Sequence, residues 1–222
     1  MTRQLVVFAK RPWPGEVKTR LCPPLTPAQG AVLAEAFLRD TLLLADGLPN
    51  WQRLLAYAPR GARETMAALA TRWRLRLQRG EDLGERLEET VGRLFAAGAE
   101  QVIVLGSDSP HLPAARLREA EAALDRADLV LGPTEDGGYY LVGLSRWRAG
   151  LFEGVRWSTD HALADTLARA KALGLSCELG EMGYDVDDLG GLRRLAGELA
   201  DLPTTALPHT RAVLGRLREV IR

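Results

Sequence analysis

Gln101-Val102-Ile103-Val104-Leu105 runs straight into Gly106-Ser107-Asp108-Ser109-Pro110. Val102 to Leu105 stand without a polar break. A half-buried strand alternates apolar and polar residues, so an unbroken run marks a strand covered on both faces. Leu129-Val130-Leu131 repeats the pattern. Working outward, runs of strand length recur at residues 5–9, 53–58, 74–78, 101–106, 128–132, 139–143 and 175–179. Helical patterns fill the intervals. Thr26 is expected to cap a helix opened by Pro27, with Val32, Leu33, Ala36 and Phe37 at helical spacing. Residues 84–97 place Leu87, Val91, Leu94 and Phe95 on one face, with Gly98 as the stop. Further helices are expected over 113–126, from a Thr159 or Asp160 cap to Leu173, and near 189–199 and 210–221. This rhythm predicts an α/β fold: a three-layer α/β/α sandwich around a mostly parallel sheet. Such sheets bind ligands beyond the carboxyl ends of their strands, so the residues just after each strand carry the functional question.

The 222 residues read as a single domain spanning 1–222. A hydrophobic share of 46% supports a large core and argues against disorder. Basic and acidic residues number 29 each, which disfavours a nucleic-acid or anionic-membrane partner. The first apolar run, 5–9, is too short for a signal segment or a membrane span. Cys22 and Cys177 lie far apart with no C-x-x-C pair, which argues against structural zinc and for a cytoplasmic location. Nothing in the sequence reports on oligomeric state.

Five stretches hold chemistry-bearing residues. Lys10-Arg11-Pro12-Trp13-Pro14-Gly15-Glu16-Val17-Lys18-Thr19-Arg20 follows the first strand and carries four cations. Cations on a strand-end loop neutralise and hydrogen-bond a polyphosphate. The loop is neither a Walker A loop nor G-x-G-x-x-G. Asp108, between small residues at a buried strand's end, suits a divalent cation, which typically takes one or two carboxylates plus phosphate oxygens and water. It equally suits a turn or helix cap. Glu135-Asp136-Gly137-Gly138-Tyr139-Tyr140 reads either as a ligand-facing turn or as a tight hairpin. Asp185, Asp187 and Asp188 offer either a second metal ligand or the cap of the following helix. Arg156-Trp157-Ser158-Thr159-Asp160 offers a stacking ring or, again, a cap. His111, His161 and His209 show no metal or triad spacing, and no G-x-S-x-G elbow exists.

Taken in order, these stretches resemble one family. Phe8-Ala9-Lys10-Arg11-Pro12, Gly15 and Lys18-Thr19-Arg20-Leu21 resemble the opening of the bacterial DUF2064 family. Gly106-Ser107-Asp108-Ser109-Pro110, residues 135–143, Trp157-Ser158-Thr159 and Asp185-Val186-Asp187 resemble its later motifs. The family carries the GT-A, or nucleotide-diphospho-sugar transferase, fold. It is similar to phospholactate guanylyltransferases and molybdenum-cofactor nucleotidyltransferases. The resemblance implies that Lys10, Lys18 and Arg20 hold donor phosphates. It implies that Asp108 and Asp187 bind Mg²⁺ or Mn²⁺, and that Glu135, Asp136, Gly137 and Gly138 shape the acceptor side.

The expected site is therefore as follows. Lys18, Asp108 and Asp136 carry the chemistry, with Asp136 as the base if the acceptor is a hydroxyl. Lys10, Arg11, Lys18, Thr19, Arg20 and Ser107 bind the nucleotide's phosphates. Glu135 to Gly138, Trp157, Ser158 and Thr159 face a small-molecule acceptor. A four-cation loop favours nucleotidyl transfer from a nucleoside triphosphate. Glycosyl transfer from a sugar nucleotide stands as the alternative, and a non-catalytic nucleotide-binding domain as the second. An Asp108-Ser109-Pro110 sequence in place of D-x-D sets the chain apart from the usual glycosyltransferase pattern. A cationic, Pro-containing first loop sets it apart from the usual pyrophosphorylase.

Overall fold

The computed structural model describes residues 2–221. Seven strands form one sheet: β1 (Arg3–Lys10), β2 (Gln52–Ala58), β3 (Arg74–Leu77), β4 (Gln101–Leu105), β5 (Leu129–Pro133), β6 (Tyr139–Leu144) and β7 (Cys177–Leu179). Their order is β3-β2-β1-β4-β6-β5-β7. All seven fall where the sequence placed them, within one or two residues at most ends. The sheet is mostly parallel, as expected. β6 is the exception and runs antiparallel to both β4 and β5.

The helices are α1 (Pro27–Ala45), α2 (Arg63–Leu69), α3 (Leu83–Ala96), α4 (Ala114–Ala123), α5 (Ala162–Ala172), α6 (Leu189–Glu198) and α7 (Pro208–Leu217). Caps fix several boundaries. Thr26 Oγ1 accepts from the Gln29 amide at 3.2 Å, and Gln29 Oε1 accepts from the Thr26 amide at 2.8 Å. This reciprocal pair, with Pro27 behind it, starts α1. Asp82 Oδ1 accepts from the Glu85 amide at 2.8 Å and starts α3. The α5 cap differs from the sequence reading. His161 occupies the cap position without a side-chain bond, because Thr159 is spent on a local turn. The sequence reading also lacked α2, which spans seven residues after a 3-10 turn.

Two core layers explain the unbroken apolar runs. Leu5, Val7, Leu55, Ile103 and Leu105 face one side of the sheet, packed with residues of α1, α2 and α4. Val6, Phe8, Leu54, Val102 and Val104 face the other side, packed with α3 and α5. A third cluster joins the far side of α1 to α6 and α7 through Leu33, Phe37, Leu192, Leu195 and Leu214. Among the described residues no helix is long and apolar enough to cross a membrane.

One polar contact pins the third cluster. Asp40, 3% exposed within α1, accepts from the backbone amides of His209 at 3.2 Å and Thr210 at 2.7 Å. It caps α7 from another helix, satisfying amides that α7 itself cannot. Asp40→Ala is expected to lower unfolding stability by about 1–2 kcal/mol. Urea denaturation checks this, and an unchanged midpoint would remove the contact from the list of stabilising interactions.

Candidate functional site

The chain leaves β1 toward β2 on one side, and β4 carries it to the other side of β1. Adjacent parallel strands whose connections depart in opposite directions open a crevice at their carboxyl ends. The loop from Lys10 to Arg20 leaves one lip and residues 106–110 leave the other. A third segment arrives from β7. It tracks β5, with Gly180 donating to Leu131 O at 2.9 Å and Gly183 to Pro133 O at 2.8 Å. It then crosses the end of β4, where the Val186 amide donates to Asp108 O at 2.9 Å.

Lys18 ties the three segments together. Its ammonium donates to Asp108 Oδ1, to Val186 O at 2.9 Å and to Asp187 Oδ1 at 3.1 Å. Its side chain is 4% exposed, against 48% for Asp108 and 44% for Asp187. Burial lowers the Lys18 pKa, but Asp108 and Asp187 more than offset this and the net shift is upward, so the group stays charged. Lys18 also lies 5.1 Å over the Phe37 ring centroid.

The acidic run 185–188 divides its work. Asp188 Oδ1 caps α6 by accepting from the Gly191 amide at 2.8 Å. Asp187 meets Lys18. Asp185 turns inward and accepts a hydrogen bond from Ser109 Oγ. Burial pushes the Asp185 carboxyl up to about 6, opposed by the Ser109 bond and reinforced by Asp108, Asp187 and Asp136. The Asp185–Ser109 contact escaped the sequence reading, although both residues lie inside quoted motifs.

The residues expected to bind phosphate lie on the same edge. Lys10 and Arg20 are exposed and have no ion pair among the described residues. Thr19 is exposed in the 3-10 turn that follows Lys18, and Ser107 is half-buried beside Asp108. Arg11 is committed locally: its guanidinium lies 4.4 Å over the Trp13 ring and bonds Glu16 at 2.9 Å. Gln78, not singled out by sequence, donates from Nε2 to Ala56 O at 2.7 Å and Ala9 O at 3.3 Å. It stitches the ends of β1, β2 and β3.

On the opposite side, residues 134–138 form the tight turn joining β5 to β6. Asp136 Oδ1 accepts from Thr134 Oγ1 at 2.6 Å and from the Gly138 amide at 3.1 Å. Gly137 has φ +83°, and a Cβ there would lie 2.2 Å from Asp160 O. The close approach expected of this glycine is thus to the chain's own backbone. Arg194 Nη1 donates to both Glu135 oxygens at 2.9 Å, tying the turn to α6. Trp157 is likewise packed, not free: its ring lies edge-on to Tyr139 at 6.0 Å and against Phe152 at 6.3 Å. Gly84 makes room for it, since a Cβ there would be 2.5 Å from Trp157 Nε1. Ser158 is exposed, with φ 60°. Thr159 Oγ1 donates to Arg156 O at 2.7 Å and accepts from the His161 amide at 3.2 Å.

The donor set suits a hard divalent cation. Two carboxylate oxygens and a backbone carbonyl already converge on one positive group, the Lys18 ammonium. Among the described residues no cluster of three or more His, Cys, Asp or Glu is arranged for a metal. Two protein carboxylates match a cation that completes its shell with phosphate and water, not one caged by protein.

A family model described as an uncharacterized protein conserved in bacteria (DUF2064) matches residues 41–159, more than half the chain. The chain is a DUF2064 protein. No curated protein matches it. The DUF2064 chain is similar to a solved structure from Desulfovibrio desulfuricans G20 assigned as a nucleotide-diphospho-sugar transferase. Identity is 28% and TM-score 0.91, over 100% of this chain and 98% of that one. It shares its fold with Rv0371c from Mycobacterium tuberculosis H37Rv, solved with manganese, at 19% identity and TM-score 0.54, over 88% and 98% of the two chains. It also shares it with CMP:2-keto-3-deoxy-manno-octonic acid synthetase, solved with CTP, at 13% identity and TM-score 0.54, over 90% and 99%. The DUF2064 chain is an enzyme of the nucleotide-diphospho-sugar transferase superfamily.

Next to the site, His111 stacks on Tyr184 at 4.0 Å, and Arg194 lies 3.7 Å over the Tyr184 ring. Tyr184 donates to Glu198 at 2.6 Å. Burial lowers the His111 pKa from 6.5 to about 4, with Glu198 opposing and Arg194 adding to the drop. A folded-state pKa below the unfolded one means the unfolded chain binds the proton first, so stability is lost as pH falls from 6.5 to about 4. Acid unfolding profiles of wild type and His111→Phe should therefore diverge across this window, with the variant losing less. Parallel profiles would show that His111 does not carry a depressed pKa.

Proposed function

We propose that this chain is a metal-dependent nucleotidyltransferase that takes a nucleoside triphosphate and releases pyrophosphate. The observation that carries the reading is the meeting of Lys18, Asp108 and Asp187 at the strand-end crevice, beneath a loop bearing the free cations Lys10 and Arg20. Two carboxylates meeting one ammonium, with further cations on the same loop, match a metal–polyphosphate complex in charge and in donor type. Rv0371c with manganese and the CTP-bound synthetase support the same ligand class on this fold.

Asp108 and Asp187 would hold Mg²⁺ or Mn²⁺ through their oxygens. When bound, the ion supplies charge neutralisation for the leaving pyrophosphate. Lys10, Lys18 and Arg20, with the Thr19 and Ser107 hydroxyls, bind the phosphates and fix their orientation. The Arg11 guanidinium, held on Trp13, stiffens the loop that carries them. The acceptor approaches from the side formed by residues 135–138 and 157–159. A phosphate or carboxylate nucleophile needs no base. A hydroxyl does, and Asp136 offers the oxygen not engaged in its turn. Both cysteines are free, which suits the reducing cytoplasm.

One observation favours a second reading. The Desulfovibrio desulfuricans neighbour is assigned as a nucleotide-diphospho-sugar transferase. On that reading the donor is a sugar nucleotide and the product a nucleoside diphosphate.

A thermal-shift panel of nucleoside triphosphates and sugar nucleotides, each with and without Mg²⁺ or Mn²⁺, separates the readings by mass action on the folded state. A metal-dependent rise in Tm is expected with a triphosphate. It should vanish in Asp108→Ala, and turnover should fall by about 10²-fold or more. A rise with sugar nucleotides alone would transfer the assignment to glycosyl transfer. No rise with any donor would sink both enzymatic readings. Lys10→Ala and Arg20→Ala should each weaken triphosphate binding while leaving the unliganded Tm within a degree or so, because both side chains are exposed and unpaired.

A further inference from the structure

We infer that Lys18 is the resident counter-ion of the carboxylate pair, and that its ammonium and a divalent metal occupy Asp108 and Asp187 in alternation, so that the metal enters together with the donor's phosphates. The inference rests on the metal-dependent reading of this site given above.

An ammonium has three hydrogens to donate. Those of Lys18 face three acceptors: Asp108 Oδ1, Asp187 Oδ1 and Val186 O. Its donor capacity is therefore full, and in this state it has nothing left for a phosphate. The group that the loop would bring to the donor is spent on the carboxylates that would hold the metal.

The two roles exclude each other in space. A divalent ion held by these same two carboxylates would need the space that the ammonium fills. Two cations cannot share it. Displacing Lys18 by metal alone would move a charge from a site 4% exposed toward a loop that already carries Lys10, Arg11 and Arg20. The carboxylate of that loop, Glu16, is already paired with Arg11. Arrival of a polyphosphate changes this balance, since the released ammonium gains phosphate oxygens as partners.

The local structure permits the exchange. Lys18 sits in the left-handed region, φ 50° and ψ 34°, ahead of a 3-10 turn and outside any long helix or strand. Asp108 and Asp187 are each nearly half exposed, so an ion can reach them from solvent while Lys18 still holds their inner side. Free metal should consequently bind weakly, and metal carried by nucleotide should bind well.

The three lysines, Lys10, Lys18 and Lys171, make this directly readable. The full-length wild-type protein is labelled with an amine-reactive acetylating reagent and each lysine is quantified by mass spectrometry. Exposed Lys171 on α5 serves as the internal reference. Mn²⁺ occupancy is followed in parallel by electron paramagnetic resonance, in wild type and in Asp108→Asn. Without metal, Lys18 should react at least tenfold more slowly than Lys171. At Mn²⁺ concentrations that fill the Asp108-dependent site, Lys18 labelling should rise at least fivefold. Adding the triphosphate found in the binding panel should lower the Mn²⁺ concentration needed by tenfold or more and protect Lys18 again. Lys18→Met keeps most of the apolar stem and removes the charge; it should bind Mn²⁺ without nucleotide at least tenfold more tightly than wild type.

Lys18 remaining protected while Mn²⁺ fills the Asp108-dependent site would overturn the alternation, placing the ion on the outer carboxylate oxygens with the ion pair intact. Equal or weaker Mn²⁺ affinity in Lys18→Met would overturn it as well. Absence of any Asp108-dependent Mn²⁺ binding, with or without nucleotide, would instead remove the metal-dependent reading on which it rests. If Lys18→Met does not fold, the wild-type labelling decides alone.

Discussion

One ammonium ion holds the carboxyl edge of this sheet together. Lys18 reaches from the loop after β1 to Asp108, ninety residues on, and to the 186–187 segment. The hydrogen-bonded sheet sets β1 and β4 side by side, but nothing in it fixes the loops beyond their ends. Asp108, Asp136 and Asp187 all act electrostatically on the buried Asp185 here. Without a cation among them their repulsion would oppose this meeting of the three segments. A buried ammonium stripped of either carboxylate would in turn cost a few kcal/mol, since a lone charge away from water has no compensation. Each side of the pair therefore requires the other, and the crevice exists in this form because both are present.

The opposite wall is stiff for different reasons. The β5–β6 turn is closed by its own Asp136 and anchored twice, by Arg194 on Glu135 and by the Leu163 amide, which donates to Gly137 O at 2.9 Å. Tyr184 is held between His111 and Arg194. The electrostatics divide the edge accordingly: a cation-bearing loop on one side and a hydrogen-bonded wall on the other. A rigid wall facing a loop whose charges demand an anion is a suitable arrangement for positioning two reactants, one of which brings its own counter-ions.

The central strands β4 and β5 were the most legible, because burial on both faces leaves almost no polar residue inside them. Val102 to Leu105 and Leu129 to Leu131 are buried throughout, as an unbroken apolar run requires. The α1 cap was legible because Thr26 and Pro27 act locally. The direction of β6 was not, since residue periodicity carries no information on which way a strand runs. α2 was too short to show a periodic face. At the site, the positions of Lys18, Asp108 and Asp187 after strands and before a helix could be read, but their contact could not. It joins residues 90 and 169 positions apart. The division of labour among Asp185, Asp187 and Asp188 was equally hidden, because adjacent acids look alike until the backbone turns them to separate partners. Trp157 looked available for stacking because sequence does not show that Gly84, seventy-odd positions earlier, clears a berth for its ring.

The reversal of β6 gives the molecule an unequal architecture across its crevice. The lip proposed for the donor comes from crossover connections, each a loop that leads into a helix, so a change of length there shifts a whole packed layer. The facing lip is the bend of a hairpin whose two strands are already paired with their neighbours. Away from Gly137, which abuts Asp160, residues can be exchanged in such a bend without altering strand order or the register of β4 and β5. On the proposed assignment, chains built on this plan can diverge in what they accept while the face for the activated group stays fixed, and variation between relatives would concentrate on one side of the cleft.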